Sequence, residues 1–149
     1  MAGSFALDIS RFVAAATGRV DIVIRKVSLD LFQRIILKSP VDTGRFRGNW
    51  QVAIGRIPQG TLEVEDKNGT ATIARTTATA LGVKAGDVIY FVNNLPYAER
   101  LEYGWSKQAP AGVVNAALLE FDAIVNKATA ETARANVAGV AAVGRALGV

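Results

Sequence analysis

The sequence of 149 residues contains no cysteine, no histidine and a single methionine. Without cysteine it can form no disulfide, no thiolate metal site and no thiol nucleophile. Without histidine it lacks the base of a Ser-His-Asp triad, the usual zinc ligand and the side chain most used for proton transfer near neutral pH. A catalytic site would have to rely on carboxylates, lysine or tyrosine, so the composition disfavours an enzyme.

Positive charge is concentrated in the first part of the chain. Residues 1–60 carry nine Lys and Arg against four Asp and Glu, a net +5, whereas residues 61–149 carry eight against nine, a net −1. No run of five like charges forms a nucleic-acid-binding tail. Asp8 and Arg11 interrupt the N-terminal apolar residues, and no stretch approaches the roughly 20 apolar residues that span a bilayer. We therefore expect no secretory signal, no membrane segment and synthesis in a cytoplasm.

Helical spacing of apolar residues predicts a long helix near the N-terminus. Five residues share one face of it: Val20, Ile24, Val27, Leu31 and Ile35. Pro40 predicts that this helix ends near Lys38, because a residue before proline is pushed out of the helical region. The same period continues upstream in Phe5, Ile9, Phe12, Val13 and Ala16. Gly18 either kinks the helix or splits it.

Alternation of apolar and polar residues after Pro40 predicts strands. We expect one strand over residues 50–54, a second over 61–65 and a central, apolar one over 88–92. The segment before the central strand, residues 70–75, fits either a short helix, which we favour, or another strand.

The helical period returns from Pro110, which suits a first-turn position, and is expected to fade near Ala135. Its apolar stripe consists of Val114, Ala117, Leu118, Phe121, Ile124, Val125 and Ala128. The prediction is a single α+β domain over residues 1–135. It has a long N-terminal helix and a C-terminal helix packed on a small, mostly antiparallel twisted sheet, with one short helix in the middle. Residues 136–149, rich in alanine and glycine, are then a tail that is loosely ordered or ordered only by a neighbour.

The first of two unusual segments runs from Ser39 to Arg47. Pro40 and Gly44 predict a rigid corner between helix and strand, since proline stops the helix and glycine allows a positive φ. On an extended chain Arg45 and Arg47 project the same way, with Phe46 opposite. Two interpretations stay open for this pair: a solvated edge, or a contact to the carboxylates of a partner subunit or to phosphate.

The second segment runs from Asn93 to Gly112 and holds Tyr97, Tyr103 and Trp105 around one predicted turn of helix. Protein interfaces are enriched in aromatic residues, so core packing and a partner contact both remain open for Tyr103 and Trp105. Glu99 and Glu102 lie three residues apart, and we interpret them as a solvated face rather than a catalytic pair.

These two segments resemble the tail-component proteins of long-tailed double-stranded DNA bacteriophages. The matching residues run from Pro40 to Trp50, and then from Gly86 to Gly112 with short interruptions. The resemblance covers residues 5–130. It implies an α+β, non-enzymatic virion protein without catalytic residues, metal or cofactor, in the role of a neck, tail-completion or tail-terminator protein. The implied partners are further copies of itself in a ring (a hexamer), the tail tube protein and the head-closure or connector protein. Packaged DNA would pass through the lumen without sequence-specific contact.

Nine residues are candidate protein contacts: Arg45, Arg47, Glu63, Glu65, Asp66, Tyr97, Tyr103, Trp105 and Lys107. A closed ring uses head-to-tail contacts between two different surfaces. We therefore expect the basic N-terminal half and the acidic patch at residues 63–66 to face different partners. One alternative is a DNA-binding accessory protein that uses Arg45, Arg47, Arg56 and Lys107. Another is an enzyme based on carboxylates or lysine, for which no suitably arranged pair is visible.

Overall fold

In the computed structural model of the chain, the described residues are 4–7 and 20–146, and side chains are described for residues 20–134. Within these residues the elements, in chain order, are β1 (Ser4–Leu7), α1 (Val20–Lys38), α2 (Arg45–Gly48), β2 (Trp50–Ile54), α3 (Thr70–Ala80), β3 (Ile89–Asn93), α4 (Ala98–Glu102), α5 (Val114–Leu118) and α6 (Phe121–Ala146). The fold is α+β, as predicted. The middle of the chain holds not one short helix but α3 together with the single-turn helices α2, α4 and α5.

The described sheet is antiparallel, with the strand order β1-β3-β2. Phe91 of β3 pairs with Phe5 on one side and with Val52 on the other. The apolar run therefore forms the central strand, as predicted. The helical interpretation of Phe5 is wrong, because residues 4–7 form a strand that pairs with β3. A short isolated helical turn is only marginally stable in water, so strand pairing is the more stable arrangement. Residues 8–19, including Gly18, lie outside the described residues.

Helix α1 covers the sheet and supplies much of the core, which confirms the predicted periodicity. Its buried residues are Val23, Ile24, Val27, Ser28, Leu31, Phe32, Ile35 and Ile36. The ring of Phe32 stacks on that of Phe91 with centroids 4.3 Å apart, and Phe91 stacks on Trp50 at 4.6 Å. Helix α1 and the sheet are thus joined through a continuous stack of rings.

The predicted strand over residues 61–65 is wrong, because side-chain amides occupy the place of a neighbouring strand. The amide of Asn49 accepts a hydrogen bond from the Leu62 N–H at 2.7 Å and donates one to the Leu62 carbonyl at 3.1 Å. The carbonyl of Gly60 accepts from the side chains of Gln51 and Asn94. The segment therefore runs beside the 44–51 region without backbone pairing to β2.

The favoured helical interpretation of residues 70–75 is confirmed by α3, which extends to Ala80. Residues 84–87 form a turn, in which the Asp87 N–H donates to the Lys84 carbonyl and the Asp87 carboxylate accepts from the Lys84 N–H. This turn is attached to α1, because Asp21 accepts a hydrogen bond from the Ala85 N–H and Arg25 donates to the Val83 carbonyl.

The C-terminal helix differs from the prediction at both ends. It begins at Val114 rather than Pro110, because Gly112 has a φ of +85° that interrupts any helical path. The helix breaks after Leu118, so that α5 and α6 are separate. At this break Glu120 accepts hydrogen bonds from Lys38 and Arg34 of α1, and the two cations lower the pKa of Glu120. The helix then continues to Ala146 instead of fading near residue 135. Alanine has the highest helix propensity, which outweighs the two glycines in this part.

Candidate functional site

The two segments that carry the resemblance lie side by side in the fold. Gln108 joins them, because its side chain accepts a hydrogen bond from the Val41 N–H at 2.9 Å and donates one to the Val41 carbonyl at 3.0 Å. The buried amide of Asn93 adds a second connection by donating to the Phe46 carbonyl at 2.9 Å. The segments thus form one surface, although about fifty residues separate them in sequence.

The aromatic stack of the core reaches this surface. The ring of Phe46 meets that of Trp50 edge-on at 5.7 Å, and Tyr97 lies 6.2 Å from Phe46 on the outer side. Trp50 is 2% exposed, and its indole N–H donates to the Ser39 hydroxyl at 2.8 Å. Tyr97, in contrast, is 36% exposed. The base of the surface is therefore fixed by direct packing on the core.

Residues 97–112, here called the aromatic loop, contain α4 and fold back on themselves. Glu102, at the end of α4, accepts hydrogen bonds from the N–H groups of Val113, Val114 and Asn115 at 2.8–3.0 Å. The N–H groups at the start of a helix have no partner within the helix, so the carboxylate caps α5 although Glu102 lies eleven residues before Val113. The interpretation of Glu102 as part of a solvated face is wrong.

Two glycines make the closure of the aromatic loop possible. Gly104 and Gly112 both have φ near +85°, the left-handed region that favours glycine. A Cβ atom at Gly104 would lie 2.4 Å from the Pro110 carbonyl oxygen, and one at Gly112 would lie 2.4 Å from the Glu102 carbonyl oxygen. The two ends of the loop therefore meet backbone against backbone, with no space for a side chain.

We expect Gly112→Ala to destabilise the protein more than Gly86→Ala. Gly86 has a φ of +89° but nothing within 4 Å of a Cβ atom, so alanine there costs only the left-handed strain of about 1–2 kcal/mol. Alanine at Gly112 adds the collision with Glu102. Urea unfolding of both variants, followed by circular dichroism, measures the difference; equal losses would mean that the loop is not closed as described.

Two large aromatic side chains project from this closed loop into solvent. Tyr103 is 75% exposed and Trp105 is 71% exposed. The guanidinium carbon of Arg100 lies 5.1 Å from the centre of the Trp105 ring, within the range of a cation–π interaction. Lys107 is exposed on the same loop. Of the two open interpretations, core packing is therefore wrong for Trp105 and Tyr103.

The two arginines of the first segment have different environments. They do not lie on an extended chain, because residues 45–48 form α2. Arg45 is exposed, whereas Arg47 donates to the carbonyls of Leu37, Ser39 and Lys67 at 2.7–2.9 Å. Arg47 therefore holds the end of α1 and is not available to a partner in the way that we predicted.

Replacing these two arginines with alanine should have unequal effects on stability. Arg47→Ala removes a charged donor from three carbonyls, and we expect the free energy of unfolding to fall by about 1.5–3 kcal/mol. Arg45→Ala, the matched control, should change it by less than about 0.5 kcal/mol. Thermal and urea denaturation of the two variants measure this difference, and similar values for both would contradict the assignment.

The predicted acidic patch is also divided by the structure. Glu63 and Glu65 are exposed, but Asp66 is half-buried and accepts hydrogen bonds from the Thr72 N–H at 2.8 Å and the Thr72 hydroxyl at 2.7 Å. Burial tends to raise the pKa of Asp66, but the hydrogen bonds from Thr72 and the Gly69 backbone and the charge of Arg75 lower it overall. Asp66 is therefore a cap for the first turn of α3.

The lowered pKa of Asp66 gives a pH-dependent contribution to stability. A carboxylate with a pKa below its ordinary value of 3.8 stabilises the fold above about pH 4, and the contribution is lost as the pH falls through the lowered pKa. We expect Asp66→Asn to cost about 1 kcal/mol at pH 7 and to reduce the loss of stability below pH 4. Urea unfolding between pH 2.5 and 7 measures this, with Glu63→Gln as the exposed control; parallel pH curves for wild type and Asp66→Asn would reject the cap.

Several residues of the two segments have bonding partners that the sequence did not reveal. Glu102, Gln108, Asn49 and Asn93 act through backbone groups that are ten or more residues away, so local spacing does not reveal them. Gly104 and Gly112 are the exception, because glycine is a turn residue that tolerates positive φ.

No family model matches the chain, and neither a curated protein nor a solved structure matches it. The likeness to phage tail components therefore depends on the two segments themselves. Among the described residues there is no group of three or more acidic side chains arranged to hold a metal ion. None of the described helices combines the length and apolar character needed to cross a membrane.

Proposed function

We propose that the protein is a non-enzymatic structural component of a long-tailed bacteriophage particle, which forms a ring at the junction of head and tail. In this role it binds further copies of itself, the tail tube protein and the head-side connector, and it acts as a neck, tail-completion or tail-terminator protein. The ring, a hexamer, encloses the channel through which DNA leaves the particle.

The aromatic loop is the observation that supports this proposal most strongly. Exposed tyrosine, tryptophan and arginine are the residue types that dominate binding energy at protein interfaces. Tyr103 and Trp105 project from a loop closed by Glu102 and two glycines, so little conformational entropy remains to be lost on binding. The loop is also part of the second segment of the phage resemblance.

Disruption of the gene in a phage that encodes this chain tests the proposal. A nonsense mutation should give DNA-filled heads and free tails that remain separate in electron micrographs of lysates, and a plasmid copy of the gene should restore joined particles. Infectious, tailed particles at wild-type yield from the nonsense mutant would reject the proposal.

The DNA-binding alternative is weakened by the position of Arg47, whose guanidinium bonds to three carbonyl groups. Arg45, Arg56 and Lys107 are exposed and would have to supply the contacts. Phosphate contacts predict that affinity falls with salt, with a log–log slope of about −0.9 per phosphate neutralised. Absence of binding to duplex DNA at 20 mM salt, in a fluorescence anisotropy titration, would exclude this alternative.

A further inference from the structure

The segment over residues 61–66 has one bonded edge and one free edge. Leu62 bonds to Asn49 through both its N–H and its carbonyl, and the Asp66 N–H donates to the Gly44 carbonyl at 3.0 Å. In an extended chain, backbone groups of residues two and four apart point to the same edge. The even-numbered residues therefore face the body of the protein.

The odd-numbered residues face the opposite edge by the same geometry. In the part of the chain that the structure describes, the N–H and carbonyl groups of Thr61, Glu63 and Glu65 make no hydrogen bond. Exposure also alternates: these three residues are exposed, whereas Leu62 and Val64 are half-buried. Within the described chain the backbone groups of the odd-numbered residues are thus unpaired, as are those of Val64, whereas Leu62 and the Asp66 N–H bond to the body of the protein.

We propose that this free edge, residues 61–65, binds an extended segment of a partner protein by strand addition, and that the partner carries Lys or Arg at alternate positions. Strand addition supplies affinity through main-chain hydrogen bonds and specificity through alternate side chains. Glu63 and Glu65 are two apart, so their carboxylates lie on the same face, where cross-strand neighbours with positive charge stabilise the pair.

A second copy of the same edge is a poor occupant. Antiparallel pairing of two 61–65 segments centred on Glu63 places Glu63 opposite Glu63, and like charges directly opposite each other are destabilising. Charged residues on an edge are a common protection against self-association. The charge therefore selects for a basic strand. No residue of the edge belongs to the aromatic loop, and strand addition there does not depend on the proposed role in the virion.

A synthetic peptide tests the proposal on the full-length protein. The probe is a seven-residue peptide in which lysine and valine alternate, with lysines to meet the glutamates and valines to cover the face of Leu62 and Val64. The control has the same sequence with N-methylated amides at its three central residues, which cannot donate hydrogen bonds. Amide hydrogen exchange measured by NMR reports which backbone groups the peptide covers.

The expected result is at least tenfold slower exchange at the amides of Glu63 and Glu65, with no change at Val64 and no effect of the N-methylated peptide. The double variant Glu63→Lys/Glu65→Lys changes only exposed side chains. Its affinity for the lysine–valine peptide should fall at least tenfold, and its affinity for a glutamate–valine peptide should rise. Three results would each overturn the proposal. The N-methylated peptide could bind as tightly as the probe, or the peptide could protect the amide of Val64 rather than those of Glu63 and Glu65. The third is that the protein self-associates through this edge and that the double variant abolishes this self-association.

Discussion

Trp50→Ala should lower the free energy of unfolding by about 3–5 kcal/mol, the largest effect that we expect from any single substitution. Trp50 is 2% exposed, stacks on Phe91 and meets Phe46 edge-on. Its removal leaves a large cavity between α1 and the base of the aromatic loop, and it also leaves the Ser39 hydroxyl without the indole donor. A domain of this size has only about 5–15 kcal/mol of stability, so the variant should be close to unfolded.

Trp105→Ala is the matched control, because the chain has two tryptophans and the second is 71% exposed. Its removal should change the free energy of unfolding by less than about 0.5 kcal/mol. Urea unfolding followed by circular dichroism gives both values. Tryptophan fluorescence gives an independent check. In the Trp105→Ala variant only the buried Trp50 remains, so the emission maximum should lie at a shorter wavelength than that of the wild type. Comparable stability losses in the two variants would contradict the placement of the rings.

The second large effect should be on assembly rather than on stability. If the aromatic loop is the main contact between subunits, Tyr103→Ala and Trp105→Ala should each weaken association by about 30-fold or more, the range of interface residues whose truncation costs at least 2 kcal/mol. The melting temperature of the dissociated subunit, measured at low protein concentration, should stay unchanged, since both side chains are largely exposed.

Sedimentation velocity over a range of protein concentrations, with native mass spectrometry to count subunits, measures this association. Trp105→Phe is the conservative control, because it keeps an aromatic ring beside Arg100 and should retain most of the affinity. Association that is insensitive to both alanine variants would show that subunits meet through another surface.

Periodicity was sufficient to predict the elements whose stability comes from burying one face. The spacing of Val20, Ile24, Val27, Leu31 and Ile35 predicts α1, and Pro40 predicts its end near Lys38; the apolar run before Asn93 predicts the central strand. In both elements the hydrophobic pattern favours the same secondary structure that the backbone hydrogen bonds form, so the element can be predicted from sequence.

Prediction failed where side chains take over the role of backbone pairing. Residues 61–65 alternate as a strand does, but the partner of Leu62 is the amide of Asn49, which no local pattern identifies. In the same way, the start of α5 depends on Glu102, eleven residues before Val113. Such contacts are determined by the path of the chain between them, which periodicity does not describe.

The structure divides the nine candidate contact residues into exposed residues and residues bonded to neighbouring backbone groups. Tyr103, Trp105 and Lys107 are exposed together on one loop, as an interface requires. Arg47 and Asp66 were selected for their charge, but both bond to neighbouring backbone groups. A charged residue in a motif can therefore stabilise the fold rather than bind a partner, when unpaired backbone groups lie within hydrogen-bond distance of it.

Imaging of phage particles by electron cryomicroscopy tests the central claim most directly, which is that the protein is a ring at the head–tail junction held together through the aromatic loop. The particles should come from a phage that encodes this chain. We predict density for the fold at the junction, as a closed ring, with residues 97–112 of each subunit buried against a neighbouring subunit. Absence of the chain from purified particles would contradict the proposed function, and a ring in which Tyr103 and Trp105 face solvent would contradict the proposed contact.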